Sequence, residues 1–410
     1  MLQMLAVFSA KFRSVLEARK GLMERWRKAD LGANRVWIHV SSVGELEQAR
    51  PVIDHLRASG EHSIILTYFS TSVPKLVRDW SFVKYADYLP LDREEEMREL
   101  MKIIEPRALV LNRYDVWPNH VLAAKKQGVP LLLINASTPP LGWFGRVSLL
   151  LRASLFSSVD GWTFVDSAAA AAWEPYINEP ARGLVAGNPR VDRALTRVEQ
   201  LIKAGKAESK LANWKRRQFC LVAGSTWPED ERVLLDAWSL VDGVKSLVIV
   251  PHEPDEPHLQ RLEKDLSRRK LSHARFSSLE AQSGAPRDCD VLIVDQRGFL
   301  AEIYGAGDLS YVGGGFGKQI HSIIEPVAHG LLVAFGPHFG RSPEAYTLWA
   351  TGAACALRGA RKAGQLAGWI SEMRSGGKSK QRSLEGLRVF LQVHRGAGDR
   401  VGAFVESRLR

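Results

Sequence analysis

Residues 308–337 read DLSYVGGGFGKQIHSIIEPVAHGLLVAFGP. An apolar run ends in three glycines, Gly313 to Gly315. A polar bend follows, then a helix-like stretch with Glu325-Pro326, then a second apolar run ending Phe335-Gly336-Pro337. This is strand, glycine turn, helix, strand, the repeating unit of a parallel α/β sheet. Glycine admits backbone angles other residues resist and leaves room beside the main chain. A helix following such a turn aims unpaired N–H groups at an anion. Glu325, near that anion, is suited to accept from paired ribose hydroxyls. A tight βα turn with no ligand has the same local pattern.

The unit repeats upstream. Strand 219–224 leads to Ser225-Thr226-Trp227-Pro228-Glu229 and a helix at 230–241. Strand 246–251 leads to His252-Glu253-Pro254 and a helix at 256–269. Strand 290–295 leads to Gln296-Arg297-Gly298 and a helix at 299–306. A helix near 343–351, a strand at 354–357 and two terminal helices complete this half. The polar residues after these strands, Ser225, Thr226, His252, Arg297 and Glu325, gather at one sheet edge and suit a nucleotide phosphate. Neither a Gly-Lys-Ser/Thr phosphate loop nor a strict dinucleotide GxGxxG is present, so ATP hydrolysis and hydride transfer lack their signatures.

The first half obeys the same grammar. Strands are predicted at 36–41, 63–68, 84–89, 107–112, 130–135, 161–165 and 183–186. Ser42-Val43-Gly44-Glu45 follows the first and leads to a helix over 46–58, bent at Pro51. Thr67 to Ser72 follows the second, and Arg113 to Asn119 the fourth. Loops after parallel strands carry chemistry in α/β domains. Glu45 is therefore a candidate catalyst, and Asp115 is placed to orient a substrate. The competing readings are a helix N-terminal charge for Glu45 and a helix cap for Asp115. The apolar stretch 141–157, with Arg146 and Arg152, reads as a buried helix or a lipid-facing patch. Residues 192–217 are charged and helical without a strong apolar face, and read as a linker.

Leu5, Phe8, Phe12, Val15, Arg19, Leu22 and Trp26 recur at spacings of three and four, with Lys11, Arg13, Lys20, Arg27 and Lys28 on other faces. The stripe makes a basic amphipathic helix, which either lies on an anionic membrane surface or docks on the domain core. No apolar run reaches the ~20 residues of a membrane span. No short apolar core with a small-residue cleavage site opens the chain, so no secretory signal is expected.

With 410 residues the chain exceeds one ordinary core, and two domains follow. Its 45% hydrophobic and 25% charged residues fit a soluble globular protein. The 56 basic and 45 acidic residues give a net charge of +11, which favours an anionic partner. Cys220, Cys289 and Cys355 are widely separated and odd in number, so buried thiols in a reducing compartment are expected rather than disulfides. No Cys or His spacing suggests a metal site. Nucleic acid would match the charge, but no recognition motif or basic–aromatic strip is present.

Several strings occur in one order: WIHVSSVGE (37–45), YLPLD (88–92), RYDVWPN (113–119), GNPRVD (187–192), AGSTWPEDE (223–231), VPHEP (250–254) and YVGGGFGKQIHSIIEPVAHG (311–330). Over residues 36 to 350 they resemble the Kdo transferases of lipopolysaccharide synthesis. Those enzymes move 3-deoxy-D-manno-oct-2-ulosonic acid (Kdo) from CMP-Kdo to a lipid A precursor. The resemblance implies a glycosyltransferase B-type α/β fold, two Rossmann-like domains facing a cleft. It implies inverting transfer without a metal or other cofactor, at the cytoplasmic face of the inner membrane, by a peripheral or monotopic protein. In that setting residues 1–28 become a membrane-surface helix. Residues 29–195 become the acceptor domain, 196–218 a linker, 219–378 the CMP-sugar domain, and 379–410 helices returning toward the first domain.

The family's general base falls on Glu45 and its second functional acid on Asp115. The acceptor side takes Ser42, Gly44, Thr67, Ser70, Thr71, Arg113 and Asn135. The donor side takes Ser225, Thr226, His252, Arg297, Gly298, Gly314, Gly315, Lys318, His321, Ser322 and Glu325, with Glu325 on the CMP ribose. The chain departs from the family pattern in places. Gln319-Ile320-His321-Ser322 replaces Gly-Gly-His-Asn, and Pro251-His252-Glu253 replaces Pro-Arg-His. Asn135-Ala136-Ser137 replaces Asn-Ala-Arg, and Arg341-Ser342 replaces Asn-Phe. Arg297, Lys318 or Arg341 are the candidates to replace the lost arginine. The departures leave two alternatives: a related transferase with another nucleotide sugar or acceptor, and a non-catalytic nucleotide-binding protein at the membrane.

Overall fold

The computed structural model describes the chain except residues 1–9, 79, 81–82, 114, 140–148, 150–151, 178–182, 205–210, 212–213, 215–218, 244, 282–287 and 410. Leu5 and Phe8 of the N-terminal stripe, Trp143, Phe144 and Arg146 of the apolar stretch, and most of the linker lie outside the described residues. The chain divides into two compact units. One is Met1–Arg193 with Val393–Arg410, the other Ala194–Gln392.

The first unit holds β1 (Arg35–Val40), β2 (Ser63–Tyr68), β3 (Tyr85–Tyr88), β4 (Ala108–Asn112), β5 (Leu131–Ala136), β6 (Gly161–Phe164) and β7 (Gly183–Val185). They pair in the order β3-β2-β1-β4-β5-β6-β7, in parallel throughout. The central strands β1, β2, β4 and β5 are largely apolar on both faces because both are covered. Trp37, Leu109 and Leu131 feed one core cluster, while Val36, Ile38, Val110 and Leu132 feed the other. The strand order reverses between β1 and β4. The loops after those two strands therefore part company and leave a crevice at the sheet's carboxyl edge.

The second unit holds β8 (Cys220–Thr226), β9 (Ser246–Pro251), β10 (His273–Arg275), β11 (Val291–Ile293), β12 (Leu309–Val312), β13 (Leu332–Phe335) and β14 (Ala354–Ala356). Their order is β10-β11-β9-β8-β12-β13-β14, again parallel. Its reversal lies between β8 and β12. The strand β10 was not anticipated, since His273-Ala274-Arg275 has no apolar run and all three residues are half-buried.

The N-terminal stripe differs from the membrane-surface expectation. Ala10–Glu17 and Leu22–Lys28 are two helices, separated at Gly21 in the left-handed region. Val15, Leu22 and Trp26 are 8%, 4% and 0% exposed, and Leu22 and Trp26 join the first unit's core. Arg19, the one cation in the stripe, lies over the rings of Phe69 and Tyr88 at 4.6 and 5.0 Å. It donates to Leu89 O (2.7 Å) and Phe69 O (3.3 Å). Arg25 makes a two-pronged pair with Asp87 (2.7 and 3.0 Å).

The charged, helical stretch read as lacking a strong apolar face differs in that one respect. Helix Pro189–Lys203 buries Val191, Leu195 and Val198, a stripe at i, i+4 and i+7 hidden among charges. Among the described residues, no helix is long and apolar enough to cross a membrane. All three cysteines are free thiols, with Cys220 and Cys289 buried and Cys355 partly so.

Candidate functional site

The helix after β1 starts earlier than the sequence suggests, at Val43 rather than 46. Ser42 is its N-cap, and Ser42 Oγ accepts from Glu45 N–H at 3.4 Å. Ser42-Val43-Gly44-Glu45 thus works as a capping arrangement, with the Glu at the third helical position turning back. Glu45 Oε2 accepts the backbone N–H of Ser41 at 2.7 Å. Asn112, at the end of β4, donates to Glu45 O at 2.7 Å, and Asn135 donates to Asn112 Oδ1 at 3.0 Å.

Asp115 lies in the loop after β4, on the other side of the strand reversal. Three donors converge on its Oδ2: the Ser41 hydroxyl, His39 Nε2 (3.3 Å) and Trp117 Nε1 (3.2 Å). The Trp117 ring stacks on Phe69, centroids 6.0 Å apart, and Phe69 rests on Arg19. Both carboxylates are half-buried or more, yet they titrate in opposite directions. Burial raises Glu45 above the usual carboxylate range, and the Asp115 charge adds to this, against the Ser41 N–H bond. Burial would also raise Asp115, but hydrogen bonds from His39, Ser41 and Trp117 outweigh it and hold Asp115 at about 2. Two neighbouring acids with proton affinities pushed apart are the arrangement that separates acid–base from electrostatic roles.

The other acceptor-side residues divide. Thr67 and Asn135 are fully buried, and their side chains are committed to Trp37, His39 and Asn112. They support the site from below and do not face a substrate, a correction to the sequence reading. Their positions after strands could not reveal which way they point. Ser70 and Thr71 are half-buried in the loop after β2, where Ser70 N–H donates to Ser41 O at 3.1 Å. Gly44 is exposed, and a Cβ there would meet Ser42 Oγ at 3.9 Å, an ordinary contact. Arg113 is half-buried and donates to Ser137 Oγ at 3.2 Å. Arg113 (φ 63°), Asn135 (φ 60°) and, in the second unit, Ser225 (φ 53°) all hold left-handed backbone at strand ends. Such strain in residues other than glycine collects at functional edges.

In the second unit the glycine turn is built differently from the expected anion cradle. Gly313 N–H donates to Gly224 O at 2.9 Å. Gly314 N–H donates to Asp230 Oδ2 at 2.9 Å, and Tyr311 OH donates to Asp230 Oδ1 at 2.7 Å. The protein's own carboxylate occupies that amide. A Cβ at Gly313 would lie 2.3 Å from Ser225 O, and one at Gly315 would lie 2.7 Å from Gly336 Cα. These glycines let strand ends approach each other. The helix that follows is only Ile324–Ala328, with Glu325 half-buried in its first turn.

Side chains at the same edge remain open to a ligand. His252, exposed after β9, stacks on His321 with centroids 4.0 Å apart, and Trp227 lies 5.1 Å from His252. Trp227 Nε1 donates to His321 Nε2 at 3.1 Å. Burial lowers His321, and the His252 charge lowers it further. Arg297, Gly298 and Lys318 are exposed, while Ser225 and Ser322 are half-buried. Ser322 Oγ accepts from Ile324 N–H at 3.3 Å. Thr226 is another correction: it is fully buried, and its hydroxyl donates to Glu231, which His258 also contacts.

Sequence reasoning passed over His39, Ser41, Asn112, Trp227 and Asp230 as working parts. A polar residue inside an apolar strand, as His39 is in VWIHV, was the available signal. Among the described residues, no group of three or more His, Cys, Asp or Glu side chains could hold a metal ion.

A family profile described as 3-Deoxy-D-manno-octulosonic-acid transferase (kdotransferase) matches residues 15–193. A 3-deoxy-D-manno-octulosonic acid transferase of Chlamydophila psittaci is 28% identical over 78% of this chain and 74% of its own length. A bifunctional glycosyltransferase/methyltransferase of Fusobacterium nucleatum is 24% identical over 74% of this chain, but the match spans only 47% of that longer protein. The fold is also similar to UDP-GlcNAc 2-epimerase from Neisseria meningitidis, with TM-score 0.65 and 14% identity, over 91% of this chain and all of that one. The architecture is accordingly α/β of the glycosyltransferase B type, built from two Rossmann-like units. With the profile on the first unit and the transferase relative matching most of the chain, the protein is similar to the Kdo transferases and is a glycosyltransferase.

Proposed function

We propose that the protein transfers Kdo from CMP-Kdo to a phosphorylated lipid A precursor, with inversion and without a metal, and that Glu45 is the general base. The observation that carries this is the pair of carboxylates at the first unit's strand reversal, Glu45 with raised and Asp115 with depressed proton affinity. Glu45 takes the proton of the acceptor hydroxyl as its oxygen bonds to the anomeric carbon of Kdo. The bond from that carbon to the CMP phosphate breaks, and its electron pair leaves with CMP. The ionised Asp115 offers a fixed negative charge to the oxocarbenium-like transition state or to the acceptor. In the second unit, His252, His321, Arg297 and Lys318 supply positive charge and donors for the departing phosphate, and Glu325 accepts from the ribose. The acceptor is a lipid carrying phosphates, and its place is the cytoplasmic face of the inner membrane. The net charge of +11 suits an anionic surface there.

The test is CMP release from CMP-Kdo in the presence of a lipid A precursor. Glu45→Ala should cut turnover by about 10²–10⁴-fold, the usual contribution of a general base. A loss under tenfold removes Glu45 from that role. A second reading, a relative using another nucleotide sugar, is favoured by His252 standing where the family pattern has arginine. Turnover of a UDP-sugar in preference to CMP-Kdo would support it.

A further inference from the structure

With His39 neutral, the hydrogen-bond directions around Asp115 have one consistent assignment. Trp37 Nε1 can only donate, and it donates to Thr67 Oγ1 at 2.8 Å. The Thr67 hydroxyl then has its own proton to place, and His39 Nδ1 is 2.9 Å away. At the far side of the ring, His39 Nε2 meets the Asp115 carboxylate, which only accepts. So Nε2 carries the hydrogen and Nδ1 accepts from Thr67. Every proton runs one way: Trp37 to Thr67, Thr67 to His39, His39 to Asp115. The chain is buried for most of its length, with Trp37, His39 and Thr67 all at 0% exposure. Leaving any donor in it unpaired would therefore be costly.

The chain ends on the oxygen that also receives the Ser41 hydroxyl, and the Ser41 backbone N–H holds Glu45. We infer that His39 is a positioning residue: it locks Asp115 as an oriented anion against Ser41, and through Ser41 it fixes the carboxylate of Glu45. This deepens the proposed transfer and rests on that reading for its catalytic meaning. The groups around the chain are few. Asp115, Ser41 and Trp117 lie on the loops, and Thr67 is on β2. His120, on helix Pro118–Lys126, has its ring 5.7 Å from His39. Neither ring nitrogen of His120 has a partner among the described residues, and burial keeps it from taking a proton. Arg113 and Asp115 are the charges that bear on Glu45, with His39.

His39→Leu removes the donor to Asp115 and the acceptor for Thr67. His39→Gln restores both on one planar amide. The first measurement is the titration of the Asp115 carboxyl by carbon-13 NMR in the full chain. In His39→Leu its midpoint should rise by at least one pH unit, and His39→Gln should recover most of that. The second is the pH dependence of kcat/KM. Its acid limb should move to higher pH and steepen in His39→Leu, because two carboxyls then take up protons together, with donor KM changed less than twofold. His39→Gln should return the limb toward wild type. An unmoved Asp115 titration in a folded His39→Leu protein overturns the inference, as does equal loss in both variants at every pH. Glu45→Gln, run alongside, separates the two readings. If it keeps turnover within tenfold, the base assignment falls, while the Asp115 titration still decides the role of His39.

Discussion

Glu45 and Asp115 are joined through a single residue: Ser41 donates its N–H to Glu45 and its hydroxyl to Asp115. The two acids flank the reversal of strand order between β1 and β4, so topology brings them together although 70 residues separate them in the chain. The Asp115 charge helps raise Glu45, after burial. Asp115→Asn should therefore lower the proton affinity of Glu45, and the acid limb of kcat/KM should shift to lower pH. The rate at the optimum should fall at least tenfold, since the fixed charge is gone. A limb that stays in place would separate the two groups electrostatically.

Asp115 also ties stability to pH. Its folded value, about 2, lies below the ordinary carboxylate value of 3.8. A depressed acid contributes stability that is present above the unfolded value and lost as pH falls through the folded one. The contribution should be full above pH ~4 and vanish toward pH ~2, with a size of about 2 kcal/mol. Urea unfolding at pH 6 should find Asp115→Asn weaker by about that amount. The gap to wild type should close as the pH is taken from 4 toward 2.

The imidazole of His252, stacked on that of His321, stands where the family pattern has an arginine. Because the indole of Trp227 donates to His321 Nε2, that ring keeps its hydrogen on Nδ1 and offers a donor without a full charge. His252, being exposed, is the member that a phosphate can reach. His252→Ala should weaken CMP binding about tenfold or more, the scale of one charge-assisted hydrogen bond. Cytidine, lacking the phosphate, should bind the variant and wild type alike. Calorimetry with both ligands checks this. Equal loss for both would assign His252 to the base and not to the phosphate.

The α/β alternation was plain in the sequence because both sheets are parallel and their central strands, covered on both faces, are largely apolar runs. Strand position located the carboxyl-edge loops and made Glu45 and Asp115 candidates, while their roles came from the resemblance to the Kdo transferases. Side-chain direction did not. Thr67, Asn135 and Thr226 lie in the last residues of β2, β5 and β8, yet each turns inward, and period alone cannot separate an edge donor from a buried brace. The glycine turn misled for a related reason. Gly313 and Gly315 are required by opposing backbone, from Ser225 and Gly336, and local sequence does not contain the distant partner. Arg19 was the overlooked clue at the N-terminus. A lone cation in an otherwise apolar stripe suits a protein surface with carbonyls and rings to meet it, which Leu89 O, Phe69 and Tyr88 supply.

The close approach of Gly315 and Gly336 has a stability consequence distinct from ligand binding. An added Cβ at Gly315 meets Gly336 Cα and N at 2.7 Å and Ile320 Cγ2 at 2.8 Å. Two of those atoms are backbone at the ends of adjacent strands, so relief requires β12 and β13 to separate. Overpacking of this kind costs about 1–3 kcal/mol, and rigid neighbours push it to the upper end. Two residues on, a Cβ at Gly317 has its nearest neighbour at 3.6 Å, ordinary contact. Its φ lies outside the left-handed region. Gly317→Ala should be neutral or stabilise by up to ~1 kcal/mol, through loss of unfolded-state freedom. Denaturant unfolding of the two variants should therefore differ by at least ~2 kcal/mol. If Gly315→Ala is as stable as Gly317→Ala but has lost CMP binding, then the glycine serves the ligand and not the strands.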